Sequence, residues 1–200
     1  MQTTFQKFQW LNESRAEFKP DSVVLYAPPR SDYFYHDRVE DHPAATPGAS
    51  YSAPFFHTRV TGDFVMRVKV SLEFKETFDS ASIMVMRDLA VWAKACFERT
   101  EYKTNAAVSV VTDHVSDDAN GANVEGGSLW LQAARKGDRF AFHYSADGET
   151  YFMMRYFTLP AGPEVMVGFV PQSPIGPGGN REYAHFSLEH KTVENLRAGK

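Results

Sequence analysis

The chain has 200 residues, and 21 basic residues stand against 25 acidic ones, which gives a formal net charge of -4. This length fits one domain with a core of its own, which we expect to span residues 1–190, followed by a polar tail at 191–200.

The charges are mixed, without the basic stripe of a nucleic-acid-binding protein. No apolar run approaches the roughly 18 residues of a membrane span, and residues 1–7 lack the apolar centre of a signal peptide. Because Cys96 is the single cysteine, no internal disulfide can form. We therefore expect a cytoplasmic protein without nucleic-acid or membrane partners.

Short alternating or apolar runs, separated by turn residues, follow one another along the chain, and helical periodicity is hard to find. Ten such runs occupy residues 23–27, 64–72, 81–87, 91–98, 107–112, 129–134, 139–145, 151–157, 165–170 and 182–190. Asp147-Gly148 and Gly137-Asp138 lie between successive runs and are typical of hairpin turns. Many short strands at this spacing are typical of a sandwich or a barrel, and we favour an all-β, two-sheet antiparallel β-sandwich.

Three segments, 28–54, 113–127 and 171–180, are predicted to be long loops, which are often functional or mobile in compact domains. The second of them combines Asp113 and His114 with Asp117 and Asp118, a composition that raises the possibility of a metal site. Their spacing does not match a calcium-binding loop, so the pattern favours a solvated acidic loop with no metal. The sequence also carries no motif of a phosphate-binding loop or of a cofactor.

The run at 91–98 is the most informative of the ten, because its two faces differ in chemistry. Alternation directs Trp92, Lys94 and Glu98 to one side. The opposite side carries two alanines and Phe97, which suits a core. An indole, an ammonium and a carboxylate in one row indicate the floor of a ligand-binding groove. The alternative is an exposed strand with a structural ion pair and a partly covered tryptophan.

Two further residues are candidates for a site. Arg155 lies in an apolar and aromatic run, so its guanidinium needs a partner, which we expect to be Glu98, Asp79 or a ligand. His57 is a candidate for proton transfer together with Glu98 and Lys94. Sequence motifs of serine hydrolases and zinc peptidases are absent.

The chain resembles the "regulation of enolase" group of concanavalin A-like jelly-roll domains. The resemblance is carried, in order, by Trp10-Leu11-Asn12, Ser31-Asp32-Tyr33-Phe34, Gly62-Asp63-Phe64, Phe78-Asp79-Ser80-Ala81-Ser82-Ile83-Met84, Trp92-Ala93-Lys94-Ala95-Cys96-Phe97-Glu98, Ser109-Val110-Val111-Thr112, Tyr144-Ser145-Ala146-Asp147-Gly148, Arg155, Val167-Gly168-Phe169 and Ser173-Pro174. The chain departs from this group at Tyr33-Phe34, where a tryptophan is usual, and at Ser82 and Cys96, where glycine is favoured. The resemblance implies a concanavalin A-like jelly roll.

Together these features lead us to expect a binding module for a small polar ligand, a carbohydrate or a sugar-derived metabolite. Trp92, Lys94 and Glu98 would line a concave groove, and Arg155, Asp32 and Tyr33 would close its edges. One alternative is an enzyme, a hydrolase or isomerase, in which Glu98 and Lys94, with His57, transfer protons. A second alternative is a protein-interaction module. The sequence does not indicate an oligomeric state.

Overall fold

The computed structural model describes residues 5–36 and 48–200. This part of the chain contains strands throughout and one 3-10 helix, Leu196–Ala198. In chain order the strands are β1 (Gln9–Leu11), β2 (Ala16–Phe18), β3 (Ser22–Ala27), β4 (Tyr33–His36), β5 (Gly48–Tyr51), β6 (Phe55–Thr61), β7 (Phe64–Leu72), β8 (Ser80–Asp88), β9 (Val91–Arg99), β10 (Asn105–Asp113), β11 (Val115–Asn123), β12 (Ser128–Lys136), β13 (Arg139–Ser145), β14 (Phe152–Thr158), β15 (Glu164–Gln172) and β16 (Gly179–Glu189). Each of the ten predicted runs corresponds to one of these strands, and the all-β prediction is confirmed.

Two seven-stranded antiparallel sheets form the sandwich. The first sheet has the order β1-β6-β15-β8-β9-β10-β11, and the second has the order β14-β13-β12-β7-β16-β3-β2. Strands β4 and β5 form a separate two-stranded hairpin. Because six of the twelve neighbouring strand pairs in these two sheets are distant in sequence, the fold depends on long-range pairing as well as on successive hairpins.

The main core fills the space between the two sheets. The predicted inner face of β9 is confirmed, since Ala93, Ala95 and Phe97 are fully buried there. From the second sheet, Phe142 and Tyr183 are also fully buried in this core. Period-two alternation on β9 therefore assigns one face to the core and leaves the other face available for a different use.

Side-chain caps explain two of the tight hairpins. The Asp88 carboxylate accepts hydrogen bonds from the backbone N–H groups of Ala90 and Val91, and so closes the turn between β8 and β9. In the predicted Asp147-Gly148 turn, one Asp147 oxygen accepts from Ser145 Oγ and from two backbone N–H groups. These bonds lower the pKa of Asp147 to about 2. Gly148 has φ of 81°, a left-handed conformation that glycine adopts without steric cost.

Two of the predicted loops contain strands that the sequence pattern did not reveal. The segment 113–127 includes β11, which is the edge strand of the first sheet and is exposed along most of its length. Its polar composition is that of an edge strand, so the prediction of a loop there was wrong. The segment 28–54 includes β4 and β5, and part of it lies outside the described residues.

The last ten residues pack against the outer face of the second sheet. Val193 and Leu196 are buried there against Val65, Ala134 and Ala141. Asn195 caps the 3-10 helix, since its side chain accepts from the backbone N–H groups of Arg197 and Ala198. Within the described ranges, no helix has the length and apolar character needed to cross a membrane.

Candidate functional site

The outer face of the first sheet carries the side chains that β9 directs away from the core. On this face, Trp92 is paired with Met86, Lys94 with Met84, Cys96 with Ser82 and Glu98 with Ser80 on β8. Direct partners in a sheet share a face, so these residues form four consecutive rows. The β4–β5 hairpin covers the first rows, and the last rows are bordered by polar groups.

The half of the face beneath the hairpin is an apolar cluster. Its buried members are Tyr33, Ala53, Phe55, Met84, Met86, Trp92, Val110 and Val170. The Trp92 indole is fully buried, its N–H donates to Leu89 O, and its ring meets that of Tyr33 edge-on at 6.0 Å between centroids. Trp92 does face away from the core between the sheets, as predicted, but its ring is not an open surface for stacking against a ligand. Tyr33 is buried in the same way, so neither ring reaches the groove.

Lys94 is buried at the border of this cluster, with 2% of its surface exposed. Its ammonium donates to Tyr33 O at 2.8 Å and to Gln172 Oε1 at 2.9 Å, and it lies 3.5 Å from Asp32 Oδ1. Burial opposes the charge, but Asp32 and other nearby acidic groups outweigh it and raise the pKa of Lys94. Lys94 is therefore a charged ammonium whose three N–H groups all have acceptors.

Asp32 and Gln172 complete this polar group. The Gln172 Nε2 group donates to Asp32 Oδ1, the same oxygen that faces Lys94. The side chain of Asp32 remains 24% exposed, and its second oxygen has no hydrogen bond to a described residue. The Asp32 carbonyl accepts from the backbone N–H groups of Ser52 and Ala53, which fixes the residue beneath the hairpin. Asp32 thus presents a fixed carboxylate edge toward the solvent side of the sheet.

Glu98 lies across the sheet from this group. Gln172 is paired with Ser80, and Ser80 is paired with Glu98, so the three residues form one row. Two strand spacings separate Gln172 from Glu98, which corresponds to about 10 Å between their Cα atoms. Glu98 is half-buried, and its side-chain carboxyl has no hydrogen bond or ion pair with a described residue. Burial is the main cause that raises its pKa to about 8. The Lys94 ammonium opposes this shift, and the charges of Asp32, Asp118 and Glu101 add to it.

Small side chains lie next to the two carboxyl groups. Ser80 lies between Gln172 and Glu98, Ser82 and Cys96 form the neighbouring row, and Ala106 follows Glu98 on β10; all four are fully buried. Burial raises the pKa of the Cys96 thiol to about 12, so this residue packs as an unreactive thiol. We call the part of the outer face between Asp32 with Gln172 on one side and Glu98 on the other the polar groove, and the small side chains at its floor are closely packed.

His57 does not belong to this group. The register across the sheet connects His57 to Gly168, Gly168 to Met84, and Met84 to Lys94. Three strand spacings place the backbone of His57 about 14 Å from that of Lys94. Burial lowers the pKa of His57 to about 4, and its Nδ1 has no hydrogen-bond partner among the described residues. His57 therefore lies three strands away from Lys94 on the same face and is not part of the polar group around Lys94.

Arg155 lies on the second sheet. The prediction that its guanidinium pairs with Glu98 or Asp79 was wrong. Arg155 is paired with the core residue Phe142 on β13, so it faces the space between the sheets. Its guanidinium lies 2.9 Å from Asp117 Oδ1 on β11 and joins the edges of the two sheets. An inward-facing residue on β14 cannot close the edge of a groove on the outer face of the opposite sheet.

Asp79 has a different partner. Its carboxylate is fully buried, 3.3 Å from the guanidinium of Arg181, and accepts from Ser173 Oγ at 2.6 Å. The sequence pattern did not point to Arg181 or Gln172 as site residues. Alternation along β15 would have placed Gln172 on the face of Val170, but its contact with Lys94 depends on the pairing of β15 with β8.

These features define a two-sheet jelly roll with a polar groove on the outer face of one sheet. The sequence profile described as "Protein of unknown function (DUF1349)" matches residues 10–191. The chain belongs to this family. The name of the "regulation of enolase" group is not confirmed by the match. No protein with a curated functional description is similar to the chain in sequence.

Solved structures similar to this chain show the same fold. A protein from Saccharomyces cerevisiae, described as functionally unknown, is 21% identical, with a TM-score of 0.84, and the match covers 94% of this chain and 99% of that one. The carbohydrate binding module CBM66 from Bacillus subtilis is 11% identical, with a TM-score of 0.57 and coverage of 92% and 95%. A xylan beta-1,4-xylosidase from Bacillus halodurans C-125 is 9% identical, with a TM-score of 0.63, and the match covers 90% of this chain but 39% of the enzyme. At these identities the likeness establishes the jelly-roll fold alone.

Proposed function

We propose that the protein binds a small polyhydroxylated ligand, a carbohydrate or a sugar-derived metabolite, in the groove between Asp32 and Glu98. The observation that carries the proposal is the half-buried Glu98 carboxyl, which borders a strip of small side chains and has no partner among the described residues. A carboxyl group that has lost water without gaining a hydrogen bond is destabilised. Ligand hydroxyl groups supply the missing hydrogen bonds.

The similar structures support this choice of ligand class. A carbohydrate binding module shares the fold over 95% of its length, and a jelly-roll region also occurs in a xylosidase. Carbohydrate binding is therefore compatible with this architecture, although fold alone does not fix function. The groove of this chain has the chemistry that such a ligand needs, because carboxyl oxygens pair readily with hydroxyl groups.

A binding experiment tests the proposal. Isothermal titration calorimetry or saturation-transfer NMR with a panel of neutral mono- and oligosaccharides should detect at least one ligand. Glu98→Ala should weaken the affinity for that ligand by about tenfold or more, as expected for the loss of a hydrogen bond in a partly buried site. Glu194→Ala is the matched control, since Glu194 is exposed on the C-terminal segment at the other sheet. A folded wild-type protein that binds no member of the panel would contradict the proposal.

A second candidate function is general acid catalysis in the same groove. The observation that favours it is the raised pKa of Glu98, about 8, which keeps the carboxyl protonated at neutral pH. In that case any bound saccharide with a cleavable bond should be turned over slowly, and Glu98→Gln should abolish turnover while ligand binding persists. Product analysis by chromatography distinguishes this outcome from binding alone.

A further inference from the structure

The last strand of the second sheet has a free edge. Strand β14 pairs with β13 on one side, and the backbone N–H and C=O groups on its other side have no partner among the described residues. Such a row of groups can pair with another strand. We propose that β14 pairs antiparallel with β14 of a second copy of this chain, so that the protein forms a two-fold symmetric dimer. The dimer is independent of the ligand proposed above.

The four edge strands of the two large sheets differ in how they are protected. Proteins block pairing at a sheet edge with very short strands, charged side chains or proline. Strands β1 and β2 have three residues each, and β11 carries the exposed carboxylates of Asp117 and Asp118. Strand β14 has seven residues, without proline, lysine or an acidic residue, and its one charge, Arg155, faces the space between the sheets and is paired with Asp117. Of these four edges, β14 is therefore the one suited to pairing.

Exposed apolar side chains are concentrated on the same strand. Phe152 is 55% exposed, Met153 37% and Tyr156 38%. No other strand in the described residues exposes more than one large apolar side chain. Single apolar residues are normal at a protein surface, whereas a group of them on an unpaired edge indicates a contact surface.

The faces of β14 match those of a second β14. A bulge at Met154 interrupts the pairing with β13, so Met153 and Tyr156 both lie on the outer face although they are three positions apart. Phe152 and Phe157 lie on the inner face. In an antiparallel pair centred just after the bulge, Met153 is opposite Tyr156 of the partner subunit, and Phe152 is opposite Phe157 of the partner subunit. Because opposite residues share a face, this register brings apolar side chains together on both faces.

A second copy fits this edge better than an unrelated strand does. The same residues supply the apolar side chains on both sides of the contact, and the charge of Arg155 is already balanced by Asp117. A two-fold contact uses the same edge on both copies and is closed. The edges that remain free in the dimer are β1, β2 and β11, which are short or acidic, so assembly should stop at two copies.

The oligomeric state tests the proposal. Sedimentation velocity over a concentration series up to about 200 µM should show the mass rising toward twice the 22.6 kDa of one chain. Met153→Lys places a charge on the exposed edge, so it should raise the dissociation constant of the dimer at least tenfold. Val115→Lys is the matched control, since Val115 is an exposed apolar residue on the edge strand β11, and it should dimerise like the wild type. A wild type that stays monomeric over the whole series, or a dimer that Met153→Lys leaves intact, overturns the proposal.

Disulfide trapping tests the register. Cys96 is fully buried, so an introduced surface thiol reacts without competition from it. Met153→Cys is mixed with Tyr156→Cys and oxidised, because the register places these two positions opposite each other across the contact. We expect the mixed disulfide dimer to form at least fivefold faster than the dimer of either variant with itself, as measured on non-reducing gels with a mass tag on one variant. Met153→Cys mixed with Val115→Cys is the control. A mixed dimer of Met153→Cys and Tyr156→Cys that forms no faster than this control overturns the proposed pairing.

Discussion

At the scale of single residues, the Lys94 ammonium organises the polar side of the groove. It contacts the backbone carbonyl of Tyr33 in β4, the side chain of Gln172 at the end of β15 and the carboxylate of Asp32 just before β4. A buried charge is tolerated only where partners replace the lost water. The ammonium therefore stabilises this side of the groove, and its loss removes the donor to Tyr33 O and Gln172 Oε1 and the counter-charge of Asp32.

Replacing Lys94 with methionine tests this role. Lys94→Met keeps the length of the side chain but removes the charge, so it should lower the free energy of unfolding by about 3 kcal/mol, the range for breaking a buried ion pair. Urea denaturation followed by fluorescence measures the change. Lys69→Met is the control, since Lys69 is partly exposed on the outer face of the second sheet, and it should stay within about 0.5 kcal/mol of the wild type. Equal effects of the two substitutions would contradict the structural role.

His57 makes the stability depend on pH. Its pKa is lowered to about 4 in the folded protein, whereas an unfolded histidine has a pKa of about 6.5. The unfolded chain therefore takes up a proton first as the pH falls, so the contribution to stability is present above about pH 6.5 and is lost between pH 6.5 and about pH 4. The pKa difference corresponds to about 3 kcal/mol at most.

His57→Phe should remove this part of the pH dependence. The imidazole packs against Phe55 at 4.8 Å between ring centroids, with the rings tilted by 30°, and phenylalanine has a ring of similar shape. We expect the free energy of unfolding to fall less between pH 6.5 and pH 4 in His57→Phe than in the wild type, as measured by urea titration at several pH values. His190→Phe, at an exposed position, should leave the slope unchanged. If the free energy of unfolding of His57→Phe falls as steeply with pH as that of the wild type, groups other than His57 cause the pH dependence.

At the scale of elements, the ion pair between Arg155 and Asp117 joins β14 to β11 at the open edge of the sandwich. Asp117 is 75% exposed, so this pair is screened by water and should contribute little. Arg155→Leu should therefore change the free energy of unfolding by about 1 kcal/mol or less in thermal and urea denaturation. It should leave saccharide binding intact, because the residue faces away from the groove. A loss of saccharide binding at unchanged stability would contradict this prediction and would indicate that Arg155 contacts the ligand.

The elements with an apolar face could be predicted from the sequence, and those without one could not. The alternation at 91–98 predicted the two faces of β9, since Ala93, Ala95 and Phe97 face the core. Strand β11 could not be predicted from the sequence because it is an exposed edge strand, whose polar residues need no apolar partner. Its position follows from pairing with β10, which no local pattern in 115–123 encodes.

The same limit applies to the candidate site. Trp92, Lys94 and Glu98 share a face because they are two residues apart on one strand, so their alignment was predictable. The burial of Trp92 was not, because it depends on the β4–β5 hairpin that covers it. The polar group around Lys94 draws on residues 32 and 172, far apart in sequence, and their meeting depends on tertiary pairing.

At the scale of the whole molecule, a buried ion pair connects the two sheets beneath the groove. Arg181 belongs to β16 in the second sheet, and its guanidinium lies 3.3 Å from Asp79, just before β8 in the first sheet. The same guanidinium donates to Ser80 O and to Gln172 O. Ser80 lies at the floor of the groove and Gln172 at its side, so the guanidinium binds the backbone of both regions. The second sheet therefore supports the binding face of the first from the inner side.

Asp79→Asn should weaken this connection more than any single change on the surface. The Asp79 carboxylate accepts from the backbone N–H groups of Lys75 and Glu76 as well as from Arg181. An asparagine amide would face some of these donors with its own N–H groups and would leave Arg181 buried without a counter-charge. We expect a loss of about 3 to 5 kcal/mol in the free energy of unfolding, measured by urea denaturation. Glu182→Gln, at a partly exposed acid on the same strand as Arg181, should cost about 1 kcal/mol or less. If Asp79→Asn were as mild as Glu182→Gln, the two sheets would be held together by their apolar core alone, and the support of the groove from the second sheet would have to be abandoned.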